Sequence, residues 1–336
     1  MRVAAAALPP IGLLAGGCSL HVPVLQPQGP LAARLAEHIW LFTIVSAVVW
    51  LLVMLALAIA LLRRRRRQQA PELTPDPDAE RRIHVVIGLA VAATVLVLLV
   101  LNVNSYLTDR ALLSTPAEEP LTIHVTGHQW WWEVRYEDPR PDRVLTTANE
   151  IHIPVGRPVR FKLTSADVIH SFWVPSLMGK QDLVTGRENL LTLIADRPGV
   201  YRGQCAEFCG AQHAHMGLLV IAQLPAEFDA WQAAQLRPAE PPSDPLRQKG
   251  QQVFLSQPCT LCHQIRGTPS GGRVGPDLTH VGSRRTLAAG ALPNTPGNLA
   301  AWITDPQTIK PGAHMPVMQI PSEDLQALLA YLEGLE

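Results

Sequence analysis

One short stretch of the chain collects side chains that bind soft metals. It contains two thiols, two imidazoles and a thioether, in Cys205, Cys209, His213, His215 and Met216. Such ligands favour copper, and a mononuclear blue-copper site needs only one Cys, two His and a weak axial Met. The second cysteine exceeds that set, and His170 upstream adds a further imidazole. We therefore predict two coppers bridged by two thiolates.

Two simpler interpretations of the same cysteines stay open at this point. Zinc favours closed tetrahedral sets of sulfur and nitrogen ligands, and a Cys-x3-Cys pair with nearby histidines offers one. Cys205 and Cys209 can also form a disulfide in an exported domain. Zinc leaves Met216 without a role, and a disulfide leaves His170, His213 and Met216 without one.

A second redox motif follows in the same chain. The run Cys259-Thr-Leu-Cys262-His263 has the pattern of covalent haem c attachment, in which both thiols add to the haem and the histidine is placed to ligate iron. A lone Cys-x-x-Cys is also typical of thioredoxin-type pairs, but the following histidine argues against that interpretation. The two motifs together predict a protein that passes electrons between two metal centres.

The composition indicates a membrane protein with more than one domain. Of 336 residues, 47% are hydrophobic and 17% are charged, and the zero net charge gives no sign of a nucleic-acid partner. We predict membrane helices over residues 37–62 and 83–106, because each apolar run reaches the roughly 20 residues that cross a bilayer core. Two buried helices of a soluble protein are disfavoured, since such helices have a polar face.

The charges between these helices predict the topology. Five consecutive arginines, Arg63 to Arg67, open the stretch 63–82. Positive residues in short loops stay on the cytoplasmic side. We therefore predict a cytoplasmic loop at 63–82. The N-terminus and everything after Tyr106 then lie on the outer, periplasmic side of a bacterial inner membrane.

Residues 1–18 resemble a bacterial lipoprotein signal that ends at Cys18. The usual leucine three places before the cysteine is missing, because Ala15 stands there. Lipidation of Cys18, an ordinary signal segment and an unstructured end with a free thiol all stay open.

Residues 117–225 are predicted to form an all-β domain. Short alternating runs such as Val159–Thr164 are separated by Gly and Pro, as in a sandwich or barrel. The metal-binding stretch then lies in a loop between two strands, which is a rigid place for ligands. The Pro-rich residues 226–245 predict a linker that starts as a helix, with the helix over Pro225–Leu236, and residues 246–336 predict a second domain.

Three motifs in this region resemble subunit II of the haem–copper cytochrome c oxidases. They are Gly127-His-Gln-Trp-Trp-Trp132, Asp167-Val-Ile-His-Ser-Phe-Trp-Val-Pro175 and the run from Cys205 to Met216. Their order, their spacing and the two preceding membrane helices match that family over roughly residues 35–225. The resemblance implies a cupredoxin-like barrel that carries a binuclear mixed-valence copper centre.

The resemblance also implies how the copper would be held. Two bridging thiolates, two imidazole caps and two weak axial ligands would come from Cys205 and Cys209, His170 and His213, and Met216 with the backbone carbonyl of Glu207. The Glu207 carboxylate would face a magnesium or manganese ion at the contact with subunit I, since such ions prefer oxygen ligands. His215 is expected to point away from the site.

Three consecutive tryptophans are expected to alternate faces on a strand. By resemblance, Trp130 matches the aromatic residue through which cytochrome c delivers electrons. In this chain the attached haem domain can take the place of that donor. A core or membrane-interface role for all three tryptophans is the alternative.

The last 90 or so residues resemble the class I cytochromes c. The motifs Gly275-Pro-Asp-Leu278 and Lys310-Pro-Gly-Ala-His-Met-Pro316 occur at the intervals of that family. The resemblance implies an all-α domain that holds haem c through Cys259 and Cys262, with His263 and Met315 as axial ligands of iron. Methionine opposite histidine raises the haem potential. Met318 is the second choice for this ligand, and His314 the third.

Taken together, the resemblances imply subunit II of a caa-type cytochrome c oxidase, a proton-translocating enzyme complex in which this subunit binds no oxygen. Electrons would pass from haem c to the copper pair and on to subunit I. Subunit III is a further expected partner, and a cytochrome c or a neighbouring complex the donor. The alternatives are a copper-containing nitric oxide reductase subunit and a membrane-tethered copper carrier. Glu80 matches the family's helix-start glutamate poorly and is not assigned a role.

Overall fold

The computed structural model describes residues 24–66, 77–113 and 120–336. The expected lipoprotein signal with Cys18, and residues 67–76 of the expected loop, lie outside this part of the chain. Two helices long and apolar enough to cross a membrane come first, α1 (Pro30–Arg66) and α2 (Pro77–Leu113). Their apolar windows are not covered by the rest of the described protein, as a soluble core helix would be.

Both helices are longer than the predicted spans. Helix α1 starts seven residues before residue 37, and α2 runs seven residues beyond residue 106. Arginine is a good helix former, so α1 continues into the charged run as far as Arg66. An apolar run marks the part of a helix that fits the bilayer core, whereas the helix itself can continue into water.

The segment before α1 is attached to the β domain. The backbone N–H of Gln28 donates to the carbonyl of Ser176 at 2.7 Å, and its carbonyl accepts from the N–H of Asp196 at 2.9 Å. Ala32 and Ala36 on the first turns of α1 are buried. The β domain is therefore held at the end of the hairpin where α1 begins, which is the end opposite the arginine run.

The β domain is a sandwich of two five-stranded sheets. Its strands are β1 (Leu121–His128), β2 (Trp131–Tyr136), β3 (Leu145–Ala148), β4 (Glu150–Pro154), β5 (Val159–Ser165), β6 (His170–Trp173), β7 (Gln181–Leu183), β8 (Asn189–Leu193), β9 (Gly199–Cys205) and β10 (Gly217–Gln223). The orders are β3-β2-β1-β5-β8 and β4-β10-β9-β6-β7, with β1–β5 and β4–β10 parallel. Strands β1 and β5 bury every second residue, so one face of each packs in the core. The all-β prediction is confirmed.

The regular structure in the remaining chain is helical apart from one short ladder. The helices are α3 (Pro225–Leu236), α4 (Pro245–Ser256), α5 (Cys259–Cys262), α6 (Pro296–Thr304), α7 (Pro306–Ile309) and α8 (Ser322–Glu333), and the ladder pairs β11 (Thr286–Leu287) with β12 (Leu292–Pro293). Helices α4 and α8 cross so closely at Gly250 that a Cβ there would lie 1.9 Å from the carbonyl oxygen of Ala327. A separate core forms around Phe254, Leu328 and Tyr331.

Candidate metal centre and haem site

The loop with the predicted copper ligands is held by two neighbouring strands of one sheet. Strand β9 ends at Cys205, and β10 starts at Gly217. The backbone N–H of Cys205 donates to the carbonyl of Met216 at 2.9 Å, which closes the base of the loop. Strand β6 pairs with β9 so that Phe172 lies opposite Cys205. This register brings His170 to a loop that lies 35 residues further along the chain.

The structure places the sulfur and nitrogen atoms of the predicted site next to one another. Cys205 Sγ lies 3.8 Å from Cys209 Sγ and 3.9 Å from His170 Nδ1. Cys209 Sγ lies 3.7 Å from His213 Nδ1 and 3.8 Å from Met216 Sδ. The carbonyl oxygen of Glu207 lies 3.2 Å from Cys205 Sγ. All six predicted ligand residues therefore meet at one place.

The donor set fits copper better than the alternatives. A disulfide needs about 2.05 Å between its sulfurs, far less than the distance found between Cys205 and Cys209. A structural zinc site uses four ligands and no thioether, whereas this cluster offers five side-chain donors and a carbonyl. His170 and Met216 are fully buried, and each cysteine is at most 3% exposed. Soft donors in excess of four, in a water-poor site, suit a copper cluster.

A carboxylate outside the predicted ligand set orients one of the histidines. His170 Nε2 lies 2.7 Å from Asp167 Oδ1, which turns Nδ1 toward Cys205. The same carboxylate accepts from the backbone N–H groups of Gln129 and Val168, each at 2.7 Å. Burial opposes the charge, but these hydrogen bonds hold the pKa of Asp167 below its usual value. A carboxylate behind a ligating histidine sets its tautomer and orientation. In the sequence, the only indication of this role for Asp167 was its position three residues before His170.

The two thiols share charge unequally. Hydrogen bonding by Cys209, opposed by burial and assisted by His170, lowers the pKa of Cys205 to about 3. Cys209 keeps the shared proton, so its pKa is raised, with burial as the second cause. The pair therefore holds one of its two protons more tightly than the other, and both thiols must lose their protons to hold a metal.

The outer side of the loop differs from its buried side. Glu207 turns its carboxylate outward, where Oε2 lies 4.0 Å from Lys180 Nζ and the side chain is about half exposed. His215 is exposed, and its Nδ1 lies 2.8 Å from Gln212 Oε1, so it stands outside the ligand cluster as expected.

The tryptophans have different surroundings. Trp130 lies in the turn before β2, which begins only at Trp131. It is 8% exposed, and its indole Nε1 donates to the carbonyl of Cys209 at 3.0 Å. Trp132 is fully buried, whereas Trp131 is partly exposed and stacks on His128. Trp130 is therefore covered within this chain and contacts the metal-binding loop directly.

The predicted haem-binding histidine is held by its backbone surroundings. Helix α5 presents Cys259 and Cys262, both free, and His263 follows it. His263 Nδ1 donates to the carbonyl of Pro276 at 2.7 Å, which leaves Nε2 as the nitrogen available to iron. Gly275 passes so close that a Cβ there would meet the imidazole Cε1 at 2.7 Å. A fixed ring beside two free thiols fits a covalently attached haem.

The three candidates for the second axial ligand are placed differently. Met315 is partly buried against the core of this domain, and its carbonyl accepts from Gln307 Nε2 at 3.0 Å. Met318 is also partly buried but does not pack against that core, and His314 is exposed.

Fold and site together define a chain with two candidate membrane helices, a cupredoxin-like domain and a small helical domain that carries a haem-attachment motif. Residues 138–223 match the family model described as cytochrome C oxidase subunit II, periplasmic domain, and residues 247–336 match cytochrome c. The chain therefore contains a domain similar to the periplasmic domain of cytochrome c oxidase subunit II, followed by a domain similar to cytochrome c. It is a membrane protein with copper in the first domain and haem in the second.

Individual proteins are similar to parts of this chain. Cytochrome c oxidase subunit 2 of Alkalihalophilus pseudofirmus is 45% identical over 215 residues, which cover 64% of this chain and 61% of the relative. The same subunit of Bacillus sp. strain PS3 is 33% identical, with 64% and 62% covered. The periplasmic domain of cytochrome oxidase subunit II from Bradyrhizobium japonicum is 31% identical, with 36% and 96% covered and a TM-score of 0.34. The chain thus spans about three fifths of the length of these curated relatives.

Proposed function

We propose that this chain is the electron-entry subunit of a respiratory terminal oxidase. Electrons pass from a covalently bound haem c to a binuclear copper centre and on to subunit I, where oxygen reduction is coupled to proton translocation. The observation that carries this proposal is the convergence of two thiols, two imidazoles and a thioether at distances of 3.7 to 3.9 Å.

The proposed copper ligands have different roles. Cys205 and Cys209 would supply the two shared thiolates, and His170 and His213 would supply one imidazole to each copper. Met216 and the backbone carbonyl of Glu207 would supply the two weak ligands. When bound, the metal pair supplies a one-electron relay. The protein contributes a buried, water-poor pocket and the Asp167 hydrogen bond that holds the His170 ring in place.

The proposed haem site uses both cysteines of α5 for covalent attachment. His263 and Met315 are the axial ligands. The packing of Met315 against the domain core supports it over Met318 and His314. When bound, haem supplies a second one-electron site, and a methionine ligand keeps its potential high. The hydrogen bond from Nδ1 to Pro276 holds the histidine ring with Nε2 free.

The proposed assembly follows from the topology. Subunit I contacts the face of the β domain where Glu207 turns outward, and a magnesium ion there would take the Glu207 carboxylate as a ligand. Subunit III is a further partner of the complex. The donor is a cytochrome c or a neighbouring complex. We place the chain in the bacterial inner membrane, with its N-terminus and the domains at 117–225 and 246–336 on the periplasmic side and the arginine run inside.

The alternatives have less support. The relatives from Alkalihalophilus pseudofirmus and Bacillus sp. are named as cytochrome c oxidase subunits, which favours an oxidase over a nitric oxide reductase. A membrane-tethered copper carrier has no use for the haem motif at Cys259 to His263.

The proposal is tested on the full-length protein with haem attached and copper supplied. We expect two coppers per haem and an electron paramagnetic resonance spectrum in which one unpaired electron couples to both copper nuclei. His213→Ala should abolish this spectrum, whereas His215→Ala, which changes a histidine two residues away, should preserve it. One copper, zinc or no metal in the wild-type protein would refute the binuclear centre.

A further inference from the structure

The cytochrome c domain meets the β domain through a buried lysine. Lys310 is only 3% exposed, and its ammonium donates to the carbonyl oxygens of Trp130 at 2.6 Å and Ala288 at 3.0 Å. No carboxylate of a described residue lies within ion-pair distance of it. Lysine is rarely buried in this way without a partner. Burial, the largest cause, lowers the pKa of Lys310 to about 7.

A second polar anchor lies at another point of the seam between the two domains. Glu150, at the start of β4, is 4% exposed. Its Oε1 accepts from the backbone N–H groups of Arg285 and Thr286, each at 2.8 Å, and from the Thr286 hydroxyl at 3.1 Å. Nearby, the N–H of Gly217 donates to the carbonyl of Ala289 at 2.9 Å. The ladder region of the cytochrome c domain is thus hydrogen-bonded to both β4 and β10.

Between these anchors, the segment with Met315 covers Trp130. A Cβ on Gly312 would lie 3.6 Å from the Trp130 ring, and the His314 ring centre lies 6.4 Å from it. Gln212 Nε2 donates to the carbonyl of Pro311 at 2.7 Å. The loop with the proposed copper ligands therefore contacts the loop with the proposed haem ligand, and Trp130 lies between the two.

We propose that this seam, the set of contacts made by Lys310, Glu150 and Gly217, is a permanent interface between the two domains. Lys310 is its positioning residue. The inference rests on the proposed function and adds two statements to it. The cytochrome c domain is held in one place on the β domain rather than swinging on its linker. Trp130 is closed to soluble cytochromes, so an external donor must dock on the cytochrome c domain.

The geometry explains why a lysine suits this place. An ammonium has three hydrogens to donate, and here it joins two carbonyls that belong to different domains. If the domains separate, the Trp130 carbonyl loses this partner, whereas Ala288, which lies in the same domain as Lys310, can keep it. Contacts of this kind define one docked orientation.

The test compares Lys310→Met with the matched control Lys249→Met in the full-length protein. Lys249 is an exposed lysine of the same domain that pairs with Glu323 and Asp324. Hydrogen–deuterium exchange is followed on peptides that contain Gly217 and the Arg285–Thr286 pair, whose amides donate across the seam. We expect about tenfold faster exchange or more in Lys310→Met, because hydrogen bonds to charged groups are the stronger ones. Protease cleavage between residues 237 and 244 should also accelerate, and the control should match the wild type.

Unchanged exchange in Lys310→Met would overturn the proposal. If Lys310→Met does not accumulate, Glu150→Ala can be used instead, because it removes the second anchor. Faster exchange in the Gly217 peptide of that variant would support the proposal, and unchanged exchange would overturn it. Hydrogen–deuterium exchange is measured on backbone amides, so its result does not depend on a copper spectrum. A wild-type protein that lacks the binuclear copper spectrum would refute the proposed function, while the exchange data would still decide whether the permanent interface exists.

Discussion

The two redox sites of this chain are prepared to different degrees. In the β domain one loop and one neighbouring strand bring all the proposed donors together, with each thiol next to an imidazole. In the cytochrome c domain the histidine ring is held by its hydrogen bond to the Pro276 carbonyl, whereas the proposed methionine ligand comes from a separate segment about 50 residues further along the chain.

The difference shows what each domain requires of its cofactor. A metal cluster needs a few donor atoms, and a sandwich of ten strands can hold them on its own. A haem is a large apolar group, and in a domain of about 90 residues it makes up a substantial part of the core. We therefore expect copper to be added to a folded domain, whereas haem completes the folding of its domain.

The largest expected effect comes from removing each cofactor in turn. Cys205→Ser should eliminate the copper spectrum and leave the thermal unfolding of the β domain in place. Cys259→Ala with Cys262→Ala should eliminate covalent haem and with it the cooperative unfolding of the cytochrome c domain. Differential scanning calorimetry of the full-length variants measures both. If both domains lost their cooperative unfolding to the same extent, the proposed difference between them would be contradicted.

A second effect separates the candidate haem ligands. Met315→Ala should lower the haem reduction potential strongly, because a methionine ligand raises it. Met318→Ala serves as the matched control and should leave the potential near that of the wild type. Redox titration followed by absorbance measures both variants. A lowered potential in Met318→Ala and an unchanged one in Met315→Ala would assign the iron ligand to Met318.

Acid should destabilise the β domain through His152. Burial, opposed by a hydrogen bond to Gln223 and assisted by Arg285, lowers the pKa of His152 to about 4. The unfolded chain takes up a proton near pH 6.5, but the folded domain does so only near pH 4. Stability is therefore lost as the pH falls through this window, by up to about 3 kcal/mol.

His152→Phe provides the test of that pH dependence. The ring of His152 stacks on Trp231 with 4.1 Å between centres, and phenylalanine can keep this contact. Urea unfolding of this variant between pH 7 and pH 4 should show a flatter dependence of the free energy on pH. A slope equal to that of the wild type would show that another group is responsible.

The smallest expected effect concerns Asp167. Asp167→Asn keeps an oxygen that can accept a hydrogen bond but removes the charge behind His170. Losses of this kind typically reduce metal affinity by about 10- to 100-fold. Copper competition with a chelator measures it, and Asp229→Asn, an exposed carboxylate of α3, is the control. An unchanged affinity would mean that the pocket alone holds the histidine.

Much of the fold and part of the site could be predicted because the signals are local. Alternation in runs such as Val159–Thr164 predicted β5, and the Pro225–Leu236 segment predicted α3 with its observed bounds. The cysteines and His213 lie within nine residues, so their shared chemistry is visible in the sequence itself. His170 was placed by resemblance, because its contact depends on the pairing of β6 with β9.

Three residues that matter for the site or the seam were not assigned a role from the sequence. Asp167 lies three residues before His170, but the sequence does not show that its carboxylate reaches the ring, and Glu150 looks like a polar residue at the start of a strand. Lys310 contacts a carbonyl 180 positions away. A buried lysine and an exposed one look alike in a sequence, since burial depends on which surfaces come together.

The sequence by itself determined the two membrane helices, the β and helical domains and the kinds of metal each domain attracts. These follow from the length of apolar runs, from strand periodicity and from ligands close together in the chain. Only the tertiary structure decided that Trp130 is covered by the cytochrome c domain and that Lys310 joins the two domains. Those contacts link residues far apart in the chain, and no local pattern encodes which surfaces meet.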